Sequence, residues 1–550
     1  MENRPWLSKY PTGIAANINP DLYPSIVDFF NEIFEKHTNQ NAFTCMGKTF
    51  TYKQIDKYSM QFGAYLHSRG LEPGDRIALM MPNILQYPIA LIGAMRAGLI
   101  VVNTNPLYTP REMKHQFIDS GVKAILIAEN FAANLEKVIG ETSIKTIITT
   151  SIGEMLGMIK GRMVNLVVRK FKGMVPAYKL PNTVTFKEAL DQGKSFQIKS
   201  FECNAEDVLL HQYTGGTTGV SKGAMLTHRN IIANMLQIKA TLEPYLDDEN
   251  RTILTALPLY HIFAFTVNML ACMSVGSHNI LVTNARDLDS VVKEFKNHPI
   301  NLFTGVNTLF NALLNNEGFK EVDFSPLKIT VGGGMAVQKV VAESWKALTN
   351  CELCEGYGMT ESSPVVTFNP IDGTGKIGTI GIPVPSTSVR IVDDNGHVVG
   401  ANVIGEIQVQ GPQVMKGYYN NIEETENTIK DGWLCTGDIG EMDSDGFFKI
   451  VDRKKDMILV SGFNVFPNEI ENVIASHPKV LEVAAIGVPS EKSGEMVKVC
   501  IVKKDKSLKE EEIIEYCKDQ LTGYKVPKVV EFRDELPKTN VGKILRRALK

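Results

Sequence analysis

The feature that most constrains the fold of this chain is an alternation of short apolar runs with helical patterns through its first half. Residues 77–81, 99–102, 124–128 and 146–149 are apolar runs that predict buried strands, and residues 87–97 predict a helix between the first two. Strands that alternate with helices are typical of a largely parallel sheet covered by helices. We therefore expect an α/β domain in this half.

Later segments predict two further units. The 550 residues exceed what one hydrophobic core usually organises. Residues 375–450 contain short strand patterns, at 388–392 and 405–410, separated by Gly, Asp and Asn turns, which predicts a small β-rich subdomain. From residue 452 onward the pattern becomes that of a compact α+β segment.

In that last segment, a helix is predicted to open within 466–471 with Asn468 as its N-cap, followed by a strand at 480–488 and a helix at 508–521. We place the domain boundary at Asp452, which gives domains 1–451 and 452–550.

Composition excludes several classes of protein. The net charge of -3 does not favour nucleic acid, and eight scattered cysteines do not form a disulfide framework. The first residues lack the apolar core of a signal peptide. Residues 262–285 contain no charged side chain, but polar interruptions favour a buried helix followed by a buried strand over a membrane span. We expect a cytoplasmic protein in a reducing compartment.

One segment, 155–178, combines apolar residues at helical spacing with many basic residues. Met155, Ile159 and Met163 share one helical face, and lysines and arginines accompany them. A basic amphipathic helix of this kind can lie on an anionic membrane surface. The alternative is a surface helix that packs its apolar face on the main domain. The sequence leaves both interpretations open.

The strongest local motif is the Gly- and Thr-rich segment 213–224. Its glycines let backbone amides turn toward an anion, its threonines add hydroxyl donors, and Lys222 adds a positive charge. This combination suits a polyphosphate, although the segment lacks the usual P-loop spacing. The alternative is a flexible surface loop. The run Gly332-Gly333-Gly334 lacks a dinucleotide fingerprint and predicts backbone that passes close to a ligand or another strand.

Four further motifs accompany this loop in a fixed order: 357–361 (YGMTE), 436–438 (TGD), 452–456 (DRKKD) and 537–547 (PKTNVGKILRR). Together the five motifs resemble the adenylate-forming superfamily of acyl-CoA synthetases, adenylation domains and luciferases, over essentially the whole chain. The segments 81–88, 105–111, 257–263 and 457–465 are most similar to the bacterial long-chain fatty-acid–CoA ligases of β-oxidation.

The resemblance implies a fold, a reaction and its cofactors. The fold is α/β, with a large N-terminal domain of two α/β sheet subdomains plus a small β-barrel-like subdomain, and a small mobile α+β C-terminal domain. The reaction uses ATP and Mg²⁺ to form an acyl-adenylate and pyrophosphate, then transfers the acyl group to coenzyme A. The implied partners are a fatty acid, ATP and CoA, with peripheral contact at the cytoplasmic face of the inner membrane. The oligomeric state stays open.

The resemblance also assigns the nucleotide site residue by residue. Lys543 bridges the α-phosphate and the attacking carboxylate, Glu361 and Thr214 hold Mg²⁺, Tyr357 stacks on adenine, and Asp438 binds the ribose. The implied ATP site comprises Thr214, Gly215, Gly216, Thr217, Thr218, Gly219, Lys222, Gly334, Glu355, Gly356, Tyr357, Gly358, Thr360, Asp438, Arg453, Lys455 and Lys543. Taken singly, each of these residues has an ordinary structural explanation, such as a turn or a helix N-terminus.

The remaining assignments concern catalysis and the acyl and CoA paths. Thr217 and His261 join Lys543 and Glu361 as implied catalytic residues, and Asp452 is the implied hinge. The implied acyl and CoA path comprises Phe265, Val306, Gly332, Gly333, Ser461 and Gly462. A small residue such as Gly462 leaves room for a narrow tunnel.

Three alternatives to this reaction stay open at this point. One is a fatty-acid–AMP ligase that passes the acyl group to a carrier protein. Another is an acyl-CoA synthetase for shorter or aromatic acids. The third, from a different class, is an inactive lipid-binding homologue, against which the presence of Lys543, Glu361 and Asp438 argues.

Overall fold

The structure is a computed structural model that describes residues 4–214, 221–246, 251–490, 492–539 and 542–550. Within these residues the strands form four sheets. Two of these sheets are large, and the other two have five strands each.

The first large sheet has nine strands in the described residues and is parallel over its six central ones. In spatial order its strands are Ile382–Pro383, Val365–Phe368, Leu353–Gly358, Ile329–Gly332, Leu302–Gly305, Thr252–Thr255, His278–Leu281, Asn41–Cys45 and Lys48–Thr51.

The second large sheet has eight strands in the same described part of the chain and is parallel except at one edge, where the strand that follows the Gly/Thr loop runs antiparallel. In spatial order its strands are Gly417–Tyr418, Lys222–Thr227, Val208–Thr214, Ile100–Asn103, Arg76–Met80, Ala124–Ala128, Thr146–Thr150 and Val184–Thr185.

Helices cover these sheets, and one core joins them. Buried side chains of both sheets, such as Leu210 and Phe303, belong to one continuous hydrophobic cluster. The helix Gln86–Arg96 is buried on every side, as its apolar composition requires. The α-helices are Ile26–Lys36, Tyr52–Ser68, Gln86–Arg96, Pro110–Ser120, Ala132–Glu136, Met158–Leu166, Phe186–Gly193, His228–Leu242, Leu288–Asn297, Asn307–Leu314, Glu317–Lys320, Lys339–Thr349, Ile422–Thr428, Pro467–Ala475 and Glu510–Lys518.

The predicted β-rich subdomain is present. Its strands are Ser388–Val392, Gly405–Gln410, Trp433–Met442, Ile429–Lys430 and Phe448–Arg453. The first two have the bounds that the sequence predicted. Among the described residues the pairing does not return from the last strand to Ser388–Val392, so the expected barrel-like unit is an open antiparallel sheet.

The chain after residue 457 has hydrophobic clusters of its own, which draw on residues 458–549 alone. Its strands are Phe463–Val465, Ile458–Val460, Gly494–Lys503, Val480–Ser490 and Val529–Arg533. Asp452 lies just before this unit, in the last strand of the β-rich sheet, where it pairs with Ile439.

The predicted N-cap at Asn468 is wrong. The helix begins at Pro467, so Asn468 lies inside its first turn. Proline suits the first helical position because it has no N–H and its φ is already helical. The Asn468 side chain instead donates to the Val451 carbonyl, at 3.3 Å, and accepts from Arg546, at 2.7 Å.

The uncharged stretch 262–285 is a buried helix followed by a strand, as the sequence predicted. Residues Ala264–Ala271 are π-helical and fully enclosed, and His278–Leu281 pairs inside the first sheet. Among the described residues, no helix combines the length and the apolarity needed to cross a bilayer.

The basic segment forms the helix Met158–Leu166, which continues through the π-helical turn Val167–Phe171. This helix attaches to the protein by its polar and glycine side. Asn165 accepts from the Gly153 amide and donates to Ser151, each at 2.8 Å, and a Cβ on Gly161 would lie 2.3 Å from the Gly153 carbonyl oxygen. Val164 packs on the main core, whereas the other large apolar side chains are exposed: Met158, Ile159, Met163, Leu166, Val167 and Phe171.

Candidate active site

A cavity, which we call the central cavity, lies at the carboxyl ends of the strands Ile329–Gly332 and Leu353–Gly358. Its volume, counted together with the solvent at its open side, is about 720 Å³. Ligands of α/β sheets bind in this position because loops diverge there. Eight of the predicted site residues line it: His261, Gly333, Gly334, Gly356, Tyr357, Gly358, Thr360 and Lys543. Seven come from the large sheet region, and Lys543 comes from the C-terminal unit.

Glycines let the cavity walls and Lys543 approach each other. Gly334 has a φ of +77°, and a Cβ there would lie 3.2 Å from Cε of Lys543. A Cβ on Gly358 would lie 2.0 Å from the Pro364 carbonyl oxygen. The glycine run also passes close to a neighbouring strand, as the sequence predicted, because a Cβ on Gly333 would lie 3.2 Å from the Gly356 carbonyl oxygen.

Lys543 is held at the cavity by its backbone neighbours. Its amide donates to Oγ1 of Thr539 at 3.1 Å, and its carbonyl accepts from the Thr539 amide at 2.7 Å. Oγ1 of Thr308, in the large part of the chain, donates to the Gly542 carbonyl at 2.9 Å. These contacts fix the point from which the lysine side chain enters.

The Lys543 ammonium is poorly solvated. Burial and, to a smaller extent, Arg453 lower its pKa to about 8, while Asp438 and Glu361 oppose the shift. A desolvated cation of this kind gains more from an anionic ligand than a lysine in water does.

His261 contributes an uncharged ring to the same cavity. Burial, with a smaller effect of Lys543, lowers its pKa to about 3. Its Nδ1 accepts from the Phe263 amide at 3.3 Å. The imidazole is therefore neutral near pH 7 and can hydrogen-bond a ligand without adding charge.

Next to Tyr357, at the edge of the central cavity, lies the ion pair of Asp438 and Arg453. The Tyr357 hydroxyl donates to Oδ2 of Asp438 at 2.7 Å, and Nε of Arg453 lies 3.3 Å from Oδ1 of the same carboxylate. Asp438 and Arg453 face each other on adjacent strands. Burial raises the pKa of Tyr357 well above its usual value, and Asp438 raises it further, so the phenol stays a donor.

Two predicted residues lie behind the wall. Glu355 is buried, and burial raises the pKa of its carboxyl to about 8, while a hydrogen bond from the Val337 amide opposes the shift. A Cβ on Gly332 would lie 2.6 Å from Cγ2 of Val337 and 2.8 Å from Cδ2 of Leu353. Both residues bring the strands that carry the cavity wall together.

The polyphosphate motif is described only at its two ends. Thr214 and Lys222 face each other as the last pair of an antiparallel hairpin. The predicted residues Gly215, Gly216, Thr217, Thr218 and Gly219 lie outside the described residues. The Lys222 ammonium pairs with Glu424 and lies 5.4 Å from the ring centre of Tyr418.

Tyr418 links this hairpin to Glu361. Its hydroxyl donates to Oε1 of Glu361 at 2.7 Å, and the Glu361 carbonyl accepts from the Met415 amide at 2.8 Å. Lys455 lies within electrostatic range, since burial and then Arg453 lower its pKa while Glu361 and Asp438 act in the opposite direction. Charged members of the predicted site thus gather beside the central cavity.

These residues fit Mg²⁺ held with substrate phosphates. In the described part of the chain, no cluster of three His, Cys, Asp or Glu side chains could hold a metal by itself. Mg²⁺ is commonly bound by one or two protein oxygens together with phosphate oxygens. The Glu361 carboxylate, one of whose oxygens accepts from Tyr418, and the Thr214 hydroxyl supply such oxygens.

Other predicted residues lie outside the cavity. Phe265 is fully buried and is not among its lining side chains, whereas Phe263 and Val267, on either side of it, are. Val306 lies close to Gly334 and Gly542. Ser461 and Gly462 form an exposed turn with φ of 51° and 85° and do not line the cavity.

Asp452 is completely buried. Its carboxylate accepts from the amides of Arg453 and Asn468, each at 2.8 Å, and Nη1 of Arg546 lies 3.6 Å away. Burial raises its pKa to about 6, while Arg546 opposes this shift. The predicted hinge residue is therefore tied to the helix that opens the C-terminal unit.

Sequence reasoning missed most of the apolar wall. The missed lining residues are Ile238, Thr241, Leu242, Ile262, Phe263, Val267, Val331, Met359, Pro364, Val365, Phe368, Val384. Three of them share one face at the end of the helix His228–Leu242. The signal was the helical spacing of 238, 241 and 242, which cannot distinguish a cavity wall from an ordinary core.

Comparisons with known proteins agree with this geometry. The AMP-binding enzyme family model matches residues 30–419, and the AMP-binding enzyme C-terminal domain model matches residues 469–543. The chain belongs to the AMP-binding enzyme family, which confirms the resemblance that its motifs indicated.

The chain is 55% identical to a long-chain-fatty-acid–CoA ligase of Escherichia coli O157:H7 over 99% of its own length and 97% of that protein. It is 53% identical to a protein of the same name from Haemophilus influenzae, over 99% and 98%. Among solved structures, ATP-bound MatB from Rhodopseudomonas palustris matches with a TM-score of 0.82 and 27% identity, covering 95% of this chain and 98% of that one.

Proposed function

We propose that this protein is an ATP-dependent long-chain fatty-acid–CoA ligase. One observation carries the proposal most directly: a single buried lysine, Lys543, enters a cavity whose other described lining residues are mostly apolar. An alkyl chain can fill such a cavity while its carboxylate meets the ammonium. The near full-length similarity to curated long-chain-fatty-acid–CoA ligases supports the same substrate class.

The first half-reaction joins the fatty-acid carboxylate to the α-phosphorus of ATP, and pyrophosphate leaves. A carboxylate is already ionised near pH 7, so this step needs no general base. The task of the protein is to position two anions and neutralise their repulsion. Lys543 would contact both the carboxylate and the α-phosphate, and Thr360 and neutral His261 would donate or accept hydrogen bonds beside them.

Nucleotide binding would use the groups next to the cavity. Tyr357 would cover the adenine face, and Asp438, already ordered by Tyr357 and Arg453, would accept from the ribose hydroxyls. Thr214, Lys222 and the loop between them would hold the outer phosphates. Glu361 and Thr214 would hold Mg²⁺, which supplies charge neutralisation to the phosphates when bound.

The second half-reaction requires the CoA thiol to reach the acyl carbon, with AMP as the leaving group. We propose that the C-terminal unit turns about Asp452 between the two steps, which brings Ser461 and Gly462 to the thiol path. The exposed position of this turn and the separate core of the C-terminal unit support such a motion. A hinge needs only a few residues that absorb a backbone rotation.

The test is acyl-CoA and pyrophosphate formation by purified protein with ATP, Mg²⁺, CoA and acids from acetate to oleate. We expect acyl-CoA with long acids favoured. Pyrophosphate without acyl-CoA, but with transfer to a phosphopantetheinyl carrier, would replace this function by that of a carrier-protein ligase. If no acid leads to pyrophosphate release, the protein is the inactive lipid-binding homologue and not a ligase.

We also propose that the helix Met158–Phe171 rests on an anionic bilayer surface. Its outward side chains are strongly exposed, with Ile159 and Phe171 at 78% and Met158 at 73%. Arg162, Lys170 and Lys172 are exposed beside them, whereas Lys160 and Arg169 attach the segment through the Met46 carbonyl and Glu129. Apolar side chains flanked by exposed cations match the surface of an anionic membrane.

Vesicle sedimentation tests this contact. We expect binding to vesicles that contain phosphatidylglycerol, weaker binding to pure phosphatidylcholine, and release by salt. Ile159→Ser with Phe171→Ser should abolish binding, whereas Leu22→Ser, an exposed leucine elsewhere, serves as the matched control. Equal binding by both variants would assign the contact to another surface.

A further inference from the structure

A second apolar cavity, which we call the distal cavity, lies directly beyond the central cavity. Its volume, counted together with the solvent at its open side, is about 320 Å³. The two cavities share three lining residues, Thr241, Phe368 and Val384, so one thin layer of side chains separates them. Lys543 and His261 line the central cavity and do not line the distal cavity. A ligand that extends from Lys543 toward the distal cavity must therefore cross the partition formed by Thr241, Phe368 and Val384.

The far wall of the distal cavity comes from the N-terminal segment. Tyr10, Pro11 and Ile14 line it. The Tyr10 hydroxyl donates to the Pro383 carbonyl at 2.7 Å, so the segment is hydrogen-bonded to the opposite wall. The distal cavity thus has a cover that is remote in sequence from every motif of the catalytic site.

The cover is fastened on both sides of the residues that face the cavity. Trp6 is buried against Phe448, with ring centres 5.9 Å apart, and the Lys9 ammonium lies 2.9 Å from Oδ1 of Asp445. After the cover, the Ile18 amide donates to Oγ of Ser386 at 3.0 Å. Anchors before and after it hold the stretch 10–14 across the cavity as a fixed end wall.

We propose that the distal cavity receives the methyl end of long acyl chains, and that the cover residues 10–14 set the greatest chain length. This inference rests on the proposed function, since it takes the acyl carboxylate to lie at Lys543. A chain that extends from Lys543 fills the central cavity first. Longer chains displace the side chains of the partition, of which Phe368 is the largest, and continue toward Ile14.

The physical reason is the burial of methylene groups. Each methylene that moves from water into an apolar cavity improves binding about fourfold. An apolar cavity beyond the partition therefore improves the binding only of acids long enough to reach it. Shorter acids gain nothing from it, because they end in the central cavity.

The first experiment compares kcat/KM for oleate with kcat/KM for octanoate. Ile14→Trp fills the distal cavity from the cover, and Thr241→Leu thickens the partition. We expect each to lower the oleate-to-octanoate ratio by roughly sixtyfold if three methylenes are excluded. Leu7→Trp, a partly exposed leucine of the same segment that lines neither cavity, should leave the ratio unchanged.

The second experiment does not depend on a variant that folds. Wild-type protein is irradiated with a palmitate that carries a diazirine at its methyl end, and the labelled peptide is identified by mass spectrometry. Labelling of the peptide that contains Ile14 supports the inference. Labelling confined to the helix His228–Leu242 and the residues around Phe263 overturns it.

Failure of the inference and failure of the proposed function give different results. If wild-type protein forms acyl-CoA from octanoate and oleate but the blocking variants do not change the ratio, the distal cavity has no part in substrate binding. If wild-type protein forms acyl-CoA from neither acid, the ligase function itself fails.

Discussion

The parts of the chain before and after residue 452 contribute to the active site in different ways. The larger part supplies the walls of the central cavity, from the helix His228–Leu242 and the ends of the first sheet. Among its described residues, the smaller part supplies one lining residue, Lys543. The cavity walls and Lys543 thus belong to parts of the chain with separate hydrophobic cores.

The largest expected effect comes from removing the lysine that the smaller part contributes to the cavity. Lys543→Ala should slow adenylation by roughly 100- to 1,000-fold, because it removes the cation that neutralises the two reacting anions. Acyl-CoA formation from supplied acyl-adenylate should persist, since the walls remain. Pyrophosphate release and acyl-CoA formation measure the two steps.

The matched control is Lys538→Ala in the same unit, where the lysine pairs with Glu482 at 2.8 Å. It should change adenylation little. Equal losses in both variants would mean that the lysine acts through folding of the C-terminal unit and not through its charge.

A smaller effect is expected in the larger part of the chain. Asp438→Asn weakens the acceptor that Tyr357 and Arg453 hold in place, so the KM for ATP should rise by about 10- to 100-fold. Steady-state kinetics at saturating fatty acid measure this. Asp443→Asn, whose carboxylate pairs with Lys376 away from the cavity, is the control. An unchanged KM for ATP in Asp438→Asn would place the ribose elsewhere.

The pH dependence of adenylation should reveal the titration of the lysine. Lys543 is charged below its pKa of about 8 and neutral above it, so kcat/KM should fall up to tenfold per pH unit above pH 8. His261, which lines the same cavity, has its pKa lowered to about 3 and stays neutral throughout this range. In Lys543→Arg the fall should disappear, because arginine stays charged. A fall that persists would belong to another group, such as Lys455.

The smallest expected effect is on the thermal stability of the part of the chain before residue 452, which contains Glu355. The pKa of Glu355 is raised to about 8, so its contribution to stability is present below about pH 4.5 and is lost as the pH rises toward 8. Glu355→Gln should therefore raise Tm by a few degrees at pH 8 and little at pH 5. Thermal unfolding at both pH values measures this, with Glu352→Gln, a partly exposed carboxylate paired with Lys346, as the control. An equal change at both pH values would contradict the raised pKa.

The sequence predicted the regular elements well where their pattern was local. The strands Ala124–Ala128, Ser388–Val392 and Gly405–Gln410 have the predicted bounds. The N-cap at Asn468 was wrong because proline at 467 decides where that helix begins. The role of Phe265 stays a prediction: its side chain is buried, whereas Phe263 and Val267 line the cavity, because residues four apart share a helix face and residues two apart do not.

The orientation of the helix Met158–Phe171 could not be predicted from the spacing of its apolar residues. Its apolar spacing was equally compatible with packing on the protein and with an outward face. Gly161 and Asn165 decide the matter, because the close approach at Gly153 and the hydrogen bonds of Asn165 orient the polar side inward. The sequence contains these residues, but their partners lie on a separate turn.

By itself the sequence determined the family, the α/β class and the charged residues of the site, because those depend on short motifs whose chemistry requires particular side chains in a fixed order. Only the tertiary structure decided the apolar wall, the partition at Phe368 and the cover at Ile14. A cavity is formed by side chains that lie far apart in the chain and touch only after folding, and apolar residues look the same in sequence whether they face a core or a cavity.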